Sequence, residues 1–182
     1  MIVETPRLII RNWTAADAES LCRLSREPGF SDFSVTGYKD FSKTQAIEWI
    51  NKENERFQKL RLGKFACVLK TTDEIIGISG IFQRYTENEQ NAVDPERRNQ
   101  IEINYRYPKI YQGFGYATEG AKAVLAYGFK NLNLDDIHAF ADLTNLRSHR
   151  VLQRLGMERI GETEYSGIKA GHWRLASKNF EK

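Results

Sequence analysis

Tyr111-Gln112-Gly113-Phe114-Gly115-Tyr116-Ala117-Thr118-Glu119 is the stretch on which the reading of this chain turns. It follows an alternating β-type run, Ile101 to Tyr107, and precedes a helical one, so two glycines around one aromatic residue mark a tight strand-to-helix turn. Backbone N–H groups at a helix start have no intrahelical partner and lie at the positive end of the macrodipole, and glycine lets a ligand approach the main chain closely. A phosphate suits such a place; the competing reading is a turn with no ligand. The dinucleotide fingerprint fails on spacing, because its third Gly or Ala falls on Thr118, and the Gly-Lys-Ser/Thr ending of a P-loop is absent. What fits is Gln-x-x-Gly-x-Ala, carried by Gln112, Gly115 and Ala117.

Around this stretch, 182 residues that are 41% hydrophobic provide for one well-buried core and fall short of two independent ones. A formal net charge of +3 is small against 27 basic and 24 acidic residues, which argues against a nucleic-acid protein while leaving room for an anionic ligand. Cys22 and Cys67 have no second Cys or His at ligand spacing, so they are expected to be buried, reduced thiols in a cytosolic protein, with no metal site. No run of about twenty apolar residues occurs and the N-terminus lacks a signal-type segment, so a soluble, unprocessed protein without a membrane partner is expected.

From the N-terminus, Pro6 to Trp13 alternates as a strand, and Thr14 caps a helix carrying Ala18, Leu21 and Cys22. A second helix opens on the capping box Ser42-Lys43-Thr44-Gln45; its apolar stripe runs through Ala46, Trp49, Ile50, Phe57 and Leu60, with Glu53 as the one break. The loop between them holds Phe30, Phe33 and Tyr38, which either cover the core or line a substrate mouth. Lys64–Lys70 and Ile75–Phe82 form an antiparallel hairpin in which Gly77 and Gly80 mark close packing or a bulge. Tyr85 to Asn99 is a charged connection, either solvated or bordering a site. Beyond the glycine loop, a helix with a buried stripe runs to about Phe129, Asp136–Asp142 is a strand, and the tail forms a hairpin about Ser166-Gly167.

A second informative stretch is Asn145-Leu146-Arg147-Ser148-His149-Arg150-Val151-Leu152-Gln153-Arg154-Leu155-Gly156-Met157, a short helix stopped at Gly156. Together with the Gln112–Glu119 stretch and the N-terminal Glu4-Thr5-Pro6-Arg7-Leu8-Ile9-Ile10-Arg11, in that order along the chain, it resembles the GNAT N-acetyltransferase superfamily, RimJ/RimL-type branch. The resemblance implies an α+β fold, a single domain over residues 1–182, whose mixed, mostly antiparallel sheet is flanked by helices. It also implies a splay at Ile101–Tyr107 that makes a V-shaped cleft for acetyl-CoA. By carry-over, Gln112, Gly113, Phe114, Gly115, Tyr116 and Ala117 hold the pyrophosphate, Tyr105 and Tyr107 line the cofactor from the strand, and Asn145 meets the pantetheine arm. Arg150 and Arg154 either reach the coenzyme phosphates or remain solvated helix charges. Family members are often dimers, and Tyr111 or Phe114 would serve either an interface or a stack beside the cofactor.

Acyl transfer to an amine needs a base for the ammonium proton, a donor for the oxyanion and a proton for the departing thiolate. Glu102, on the strand lining the cleft, is the base candidate; its competing reading is an exposed strand acid. Backbone N–H groups near Tyr105 are the expected oxyanion donors. Ser148 occupies the position where this branch has a serine facing the sulfur, against the plainer role of satisfying free amides at a helix start. His149 is adjacent and turns elsewhere on a helix, so it is not assigned a catalytic role. Neither cysteine has a base in a recognisable arrangement, which favours direct transfer through a ternary complex. The acceptor is either a protein N-terminal α-amine or a small-molecule amine, and the rival classes are a non-catalytic acyl-CoA-binding module and a nucleic-acid binder.

Overall fold

The computed structural model describes residues 2–33, 40–83 and 100–180. Alternating apolar side chains build an eight-stranded sheet in the order β1-β2-β3-β4-β5-β6-β8-β7. The strands are β1 (Val3–Glu4), β2 (Leu8–Arg11), β3 (Gly63–Leu69), β4 (Glu74–Gln83), β5 (Ile101–Arg106), β6 (Asp136–Asp142), β7 (Glu158–Tyr165) and β8 (Ile168–Ala176). Neighbours are antiparallel except β5 and β6, which run parallel and pair at Glu102 with His138. Among the described residues the α-helices are α1 (Ala18–Arg26), α2 (Lys43–Leu60), α3 (Tyr116–Asn131) and α4 (Leu146–Arg154).

The two sheet faces carry separate cores. Leu8, Ile10, Phe65, Cys67 and Ile81 pack with Ala121, Val124 and Leu125 of α3 and with Val151 and Leu152 of α4. Ala66, Val68, Ile75 and Ile78 pack on the other side with Leu21 and Leu24 of α1 and Ala46 and Ile50 of α2. Full burial of each large aliphatic side chain contributes roughly 1.5–3 kcal/mol, so these two layers dominate the stability of the sheet.

Several expected boundaries move for local reasons. The first strand is Leu8–Arg11 rather than Pro6–Trp13, because Pro6 and Arg7 form a bend after the short β1. Behind Thr14 the chain first makes a 3₁₀ turn, Ala15–Asp17, and Asp17 accepts from the Thr14 N–H and hydroxyl at 2.7 and 2.9 Å. Glu53, the expected break in the α2 stripe, is buried: it accepts from Arg56 at 2.6 Å and from the Lys64 N–H at 2.9 Å, fastening α2 to the start of β3. The α3 helix continues to Asn131, past Phe129. Gly80 lies so close to β3 that a Cβ there would stand 2.1 Å from the Gly63 carbonyl oxygen, and a bulge opens beside Gly77 where β3 shifts register between Cys67 and Val68. The capping box at Ser42 and Gln45 and the Ser166-Gly167 turn form as expected, the latter with φ of 52° and 79°. Tyr38 and the Tyr85–Asn99 connection lie outside the described residues.

Candidate active site

β5 runs beside β4 along its full length but meets β6 at one pair, Glu102 with His138. Beyond it the two strands separate toward Arg106 and Asp142, and a cavity of about 1290 Å³ opens between them. Side chains alternate along β5. Ile103, Tyr105 and Tyr107 turn toward α3 and α4, and Glu102, Asn104 and Arg106 turn toward the loop of Phe30 and the β7–β8 hairpin. One strand therefore serves two sides of the same cavity.

On the α3 side, the chain leaves β5 through Pro108 and the 3₁₀ turn Lys109–Tyr111 and enters the glycine loop. Gly113 and Gly115 have φ of 88° and 86°, a left-handed conformation that costs glycine little, and a Cβ at Gly113 would meet nothing within 4 Å. Gln112 braces the loop. Its Nε2 donates to the Tyr107 carbonyl at 2.7 Å, and its Oε1 accepts from Arg147 at 2.6 Å. Phe114 is exposed and stacked with Tyr116 at 5.9 Å, whereas Tyr111 is half-buried and donates to Glu74 at 2.8 Å. Tyr107 is among the residues lining the cavity, but its ring packs in the core, where the hydroxyl bonds Ser79 at 3.0 Å and burial holds the phenol well above its usual range.

The α4 side brings together residues that the sequence kept in separate motifs. Asn145 caps the helix by accepting from the Ser148 N–H at 3.1 Å, and the Ser148 hydroxyl lies 2.8 Å from the Tyr105 hydroxyl. Burial pushes the Tyr105 phenol up, with the bond to Ser148 opposing it, so Tyr105 stays protonated at neutral pH. Arg150 and Arg154 line the same cavity, as does Arg147, which sequence reasoning passed over. His149 turns away, with its ring against Trp173 and Nε2 at 3.0 Å from the Asp142 carbonyl.

On the opposite side, Glu102 is 3% exposed and accepts a short hydrogen bond from the Tyr165 hydroxyl. Tyr165 stacks on Phe140 at 4.5 Å, which fixes the ring that holds the carboxylate. Asn104 Oδ1 is enclosed at the cavity and makes no hydrogen bond among the described residues. Phe30, buried, and Phe33, exposed, both line this side. Tyr165 escaped sequence reasoning because it lies on a distant hairpin; Asn104 was readable, two positions along the strand from Glu102 and so on the same face.

Residues 7–158 match the family model described as the acetyltransferase (GNAT) domain. The chain belongs to the GNAT acetyltransferase family. An uncharacterized N-acetyltransferase of Bacillus licheniformis, p20, is 30% identical over 158 residues, covering 86% of this chain and 82% of that protein. The uncharacterized N-acetyltransferase YnaD of Bacillus subtilis (strain 168) is 28% identical over 173 residues, covering 95% and 92%. The ribosomal-protein-S5-alanine acetyltransferase of Vibrio fischeri superposes with a TM-score of 0.72 at 18% identity, covering 99% of this chain and 98% of that one. At that identity the superposition bears on the fold, and the expected α+β sheet with its V-shaped opening is the GNAT architecture. The enzyme is an acetyl-CoA-dependent N-acetyltransferase. Coenzyme A fits the residues present: open loop amides at a helix start for its pyrophosphate, and three arginines of α4 on the same cavity. Among the described residues no cluster of His, Cys, Asp or Glu is placed to hold a metal, and no helix is long and apolar enough to cross a membrane.

Proposed function

We propose that this GNAT enzyme moves the acetyl group directly from acetyl-CoA to a primary amine within a ternary complex, residues 1–182 acting as one domain. Supporting this above all is β5, which delivers Glu102 to one side of the cavity and Tyr105 with Ser148 to the other. Bound acetyl-CoA supplies an activated acetyl thioester. Glu102, held by Tyr165, accepts the ammonium proton, and Asn104 Oδ1 offers a second acceptor that orients the amine. Ser148 donates a hydrogen bond toward the departing sulfur, with the neutral Tyr105 hydroxyl orienting it and keeping its own proton. The second proton of the amine, released after attack, passes to the sulfur, so that coenzyme A leaves as the thiol. The loop amides of Gly113 to Ala117 hold the pyrophosphate, Gln112 keeps the loop in place, and Arg150 and Arg154 meet the remaining phosphate charge.

A covalent route is disfavoured by the cysteines. Both are buried and free, and burial pushes the Cys67 thiol up to about 11, leaving no thiolate at neutral pH. Acetyl-CoA-dependent thiol release against N-terminal peptides, polyamines, amino acids and aminoglycosides tests the reading and assigns the acceptor. Turnover with one class is expected, with Glu102→Gln lowering kcat about 100-fold. Unchanged turnover in Glu102→Gln would remove Glu102 as the base. Coenzyme A binding with no turnover across the panel would favour a non-catalytic acyl-CoA-binding module.

A further inference from the structure

Against the glycine loop lies the bend between β1 and β2, whose Arg7 is not among the residues lining the cavity. Arg7 in this bend is held by several partners. Its Nε and Nη2 both lie 2.6 Å from Glu119 Oε2, its N–H donates to Glu119 Oε1 at 3.0 Å, and its Nη1 donates to the Phe114 carbonyl at 2.9 Å. The guanidinium also covers the Tyr116 ring at 4.6 Å, and Thr5 donates to Glu119 Oε1 at 2.6 Å.

We propose that Arg7 is a positioning residue that aims the anion-binding amides of the glycine loop, an inference that rests on reading this loop as the pyrophosphate site of coenzyme A. A trans peptide is planar, so its C=O and N–H point in opposite directions. Holding the Phe114 carbonyl toward Arg7 therefore turns the Gly115 N–H away from Arg7, toward the cavity that Phe114, Gly115 and Tyr116 line. The positive φ of Gly115 makes this orientation necessary to fix, because turning the Phe114–Gly115 peptide changes that angle and glycine accepts the change at little cost. Charge is not what Arg7 contributes, since Glu119 neutralises it at contact distance. Geometry is, and it depends on a guanidinium that reaches the carboxylate along one edge and the carbonyl with its remaining nitrogen. Lysine keeps the charge but lacks this fork.

The test compares wild type, Arg7→Ala and Arg7→Lys with two acetyl donors, acetyl-CoA and S-acetylpantetheine, the second lacking the pyrophosphate. The expected result is a KM for acetyl-CoA raised about tenfold in Arg7→Ala, kcat within about twofold of wild type, and an unchanged KM for S-acetylpantetheine. Arg7→Lys, keeping charge without the fork, should stay close to Arg7→Ala. An unchanged KM for acetyl-CoA, an equal loss with both donors, or full rescue by lysine would overturn the proposal. Should Arg7→Ala fail to fold, Arg7→Lys and Glu119→Gln carry the same comparison. Calorimetry with coenzyme A separates two kinds of failure. Wild type that does not bind it refutes the loop reading and this inference together, whereas equal binding by wild type and variant refutes this inference alone.

Discussion

Ser148 and Tyr105 act as one unit if the Ser148 hydroxyl that donates to the sulfur is oriented by Tyr105 across their 2.8 Å hydrogen bond. A thiolate leaves without much help, so such a unit would stabilise the transition state by about one good hydrogen bond, worth roughly tenfold in rate. Ser148→Ala should lower kcat about tenfold, Tyr105→Phe about threefold, and the double variant no more than Ser148→Ala alone, because Tyr105 works through Ser148. Steady-state kinetics on all three variants checks this, and multiplying losses would show that the two hydroxyls act separately. The same side chains mark what sequence reasoning reaches. Glu102 could be proposed as a carboxylate on a cleft strand and Ser148 through the family resemblance, but the Tyr105–Ser148 and Tyr165–Glu102 bonds span 43 and 63 positions and exist only in the tertiary structure. Asn145 shows the opposite case, since its capping bond to the Ser148 N–H is the plain role its position suggests, formed inside the proposed site.

At the scale of the elements, hydrophobic period and end signals carried most of the fold. The capping box of α2, the limits of β6 and the turn between β7 and β8 are local features, and each was readable locally. The two-residue β1 is too short to show a period, and Glu53 reads as a break because its Lys64 partner lies beyond the helix end. Gly80 is a case in which sequence pointed to close packing and the structure supplies the neighbour. An alanine there would place Cβ 2.1 Å from the Gly63 carbonyl oxygen and 2.7 Å from the Lys64 Cα, both backbone atoms of a paired strand, so β3 and β4 must move apart. Gly80→Ala should cost about 3 kcal/mol by chemical denaturation. Gly161→Ala, where the added Cβ meets nothing within 4 Å, should stay within about 0.5 kcal/mol and serves as the matched control. Equal losses in the two would show that glycine's strand conformation, rather than the contact, sets the cost.

Across the whole molecule, two carboxylates tie the β2 region to helices on opposite faces of the sheet. Asp17, at the start of α1, receives both terminal nitrogens of Arg11 at 2.7 and 2.9 Å and the N–H and hydroxyl of Thr14. Glu119, in the first turn of α3, receives Thr5 and Arg7. Burial disfavours ionisation of each, but the donors outweigh it and hold both carboxyls below their usual range. A carboxyl whose folded pKa lies below its unfolded value takes up a proton on unfolding. Its contribution is therefore fully present above the unfolded value, near 4, and is lost as pH falls through the lower folded value, with a slope of at most about 1.4 kcal/mol per pH unit for each group. Unfolding free energy should accordingly hold steady from neutral pH down to about pH 5 with respect to these two groups and decline below it. Asp17→Asn should lose about 2 kcal/mol at pH 7, where the charged acceptor is missed, and less near pH 3, where the wild-type carboxyl is losing its own charge. The two stability curves therefore converge on acidification, which denaturant titrations at pH 7, 5, 4 and 3 would resolve. Parallel curves over that range would mean that Asp17 holds α1 to β2 as well protonated as ionised, and that the acid limit of the fold lies with other groups.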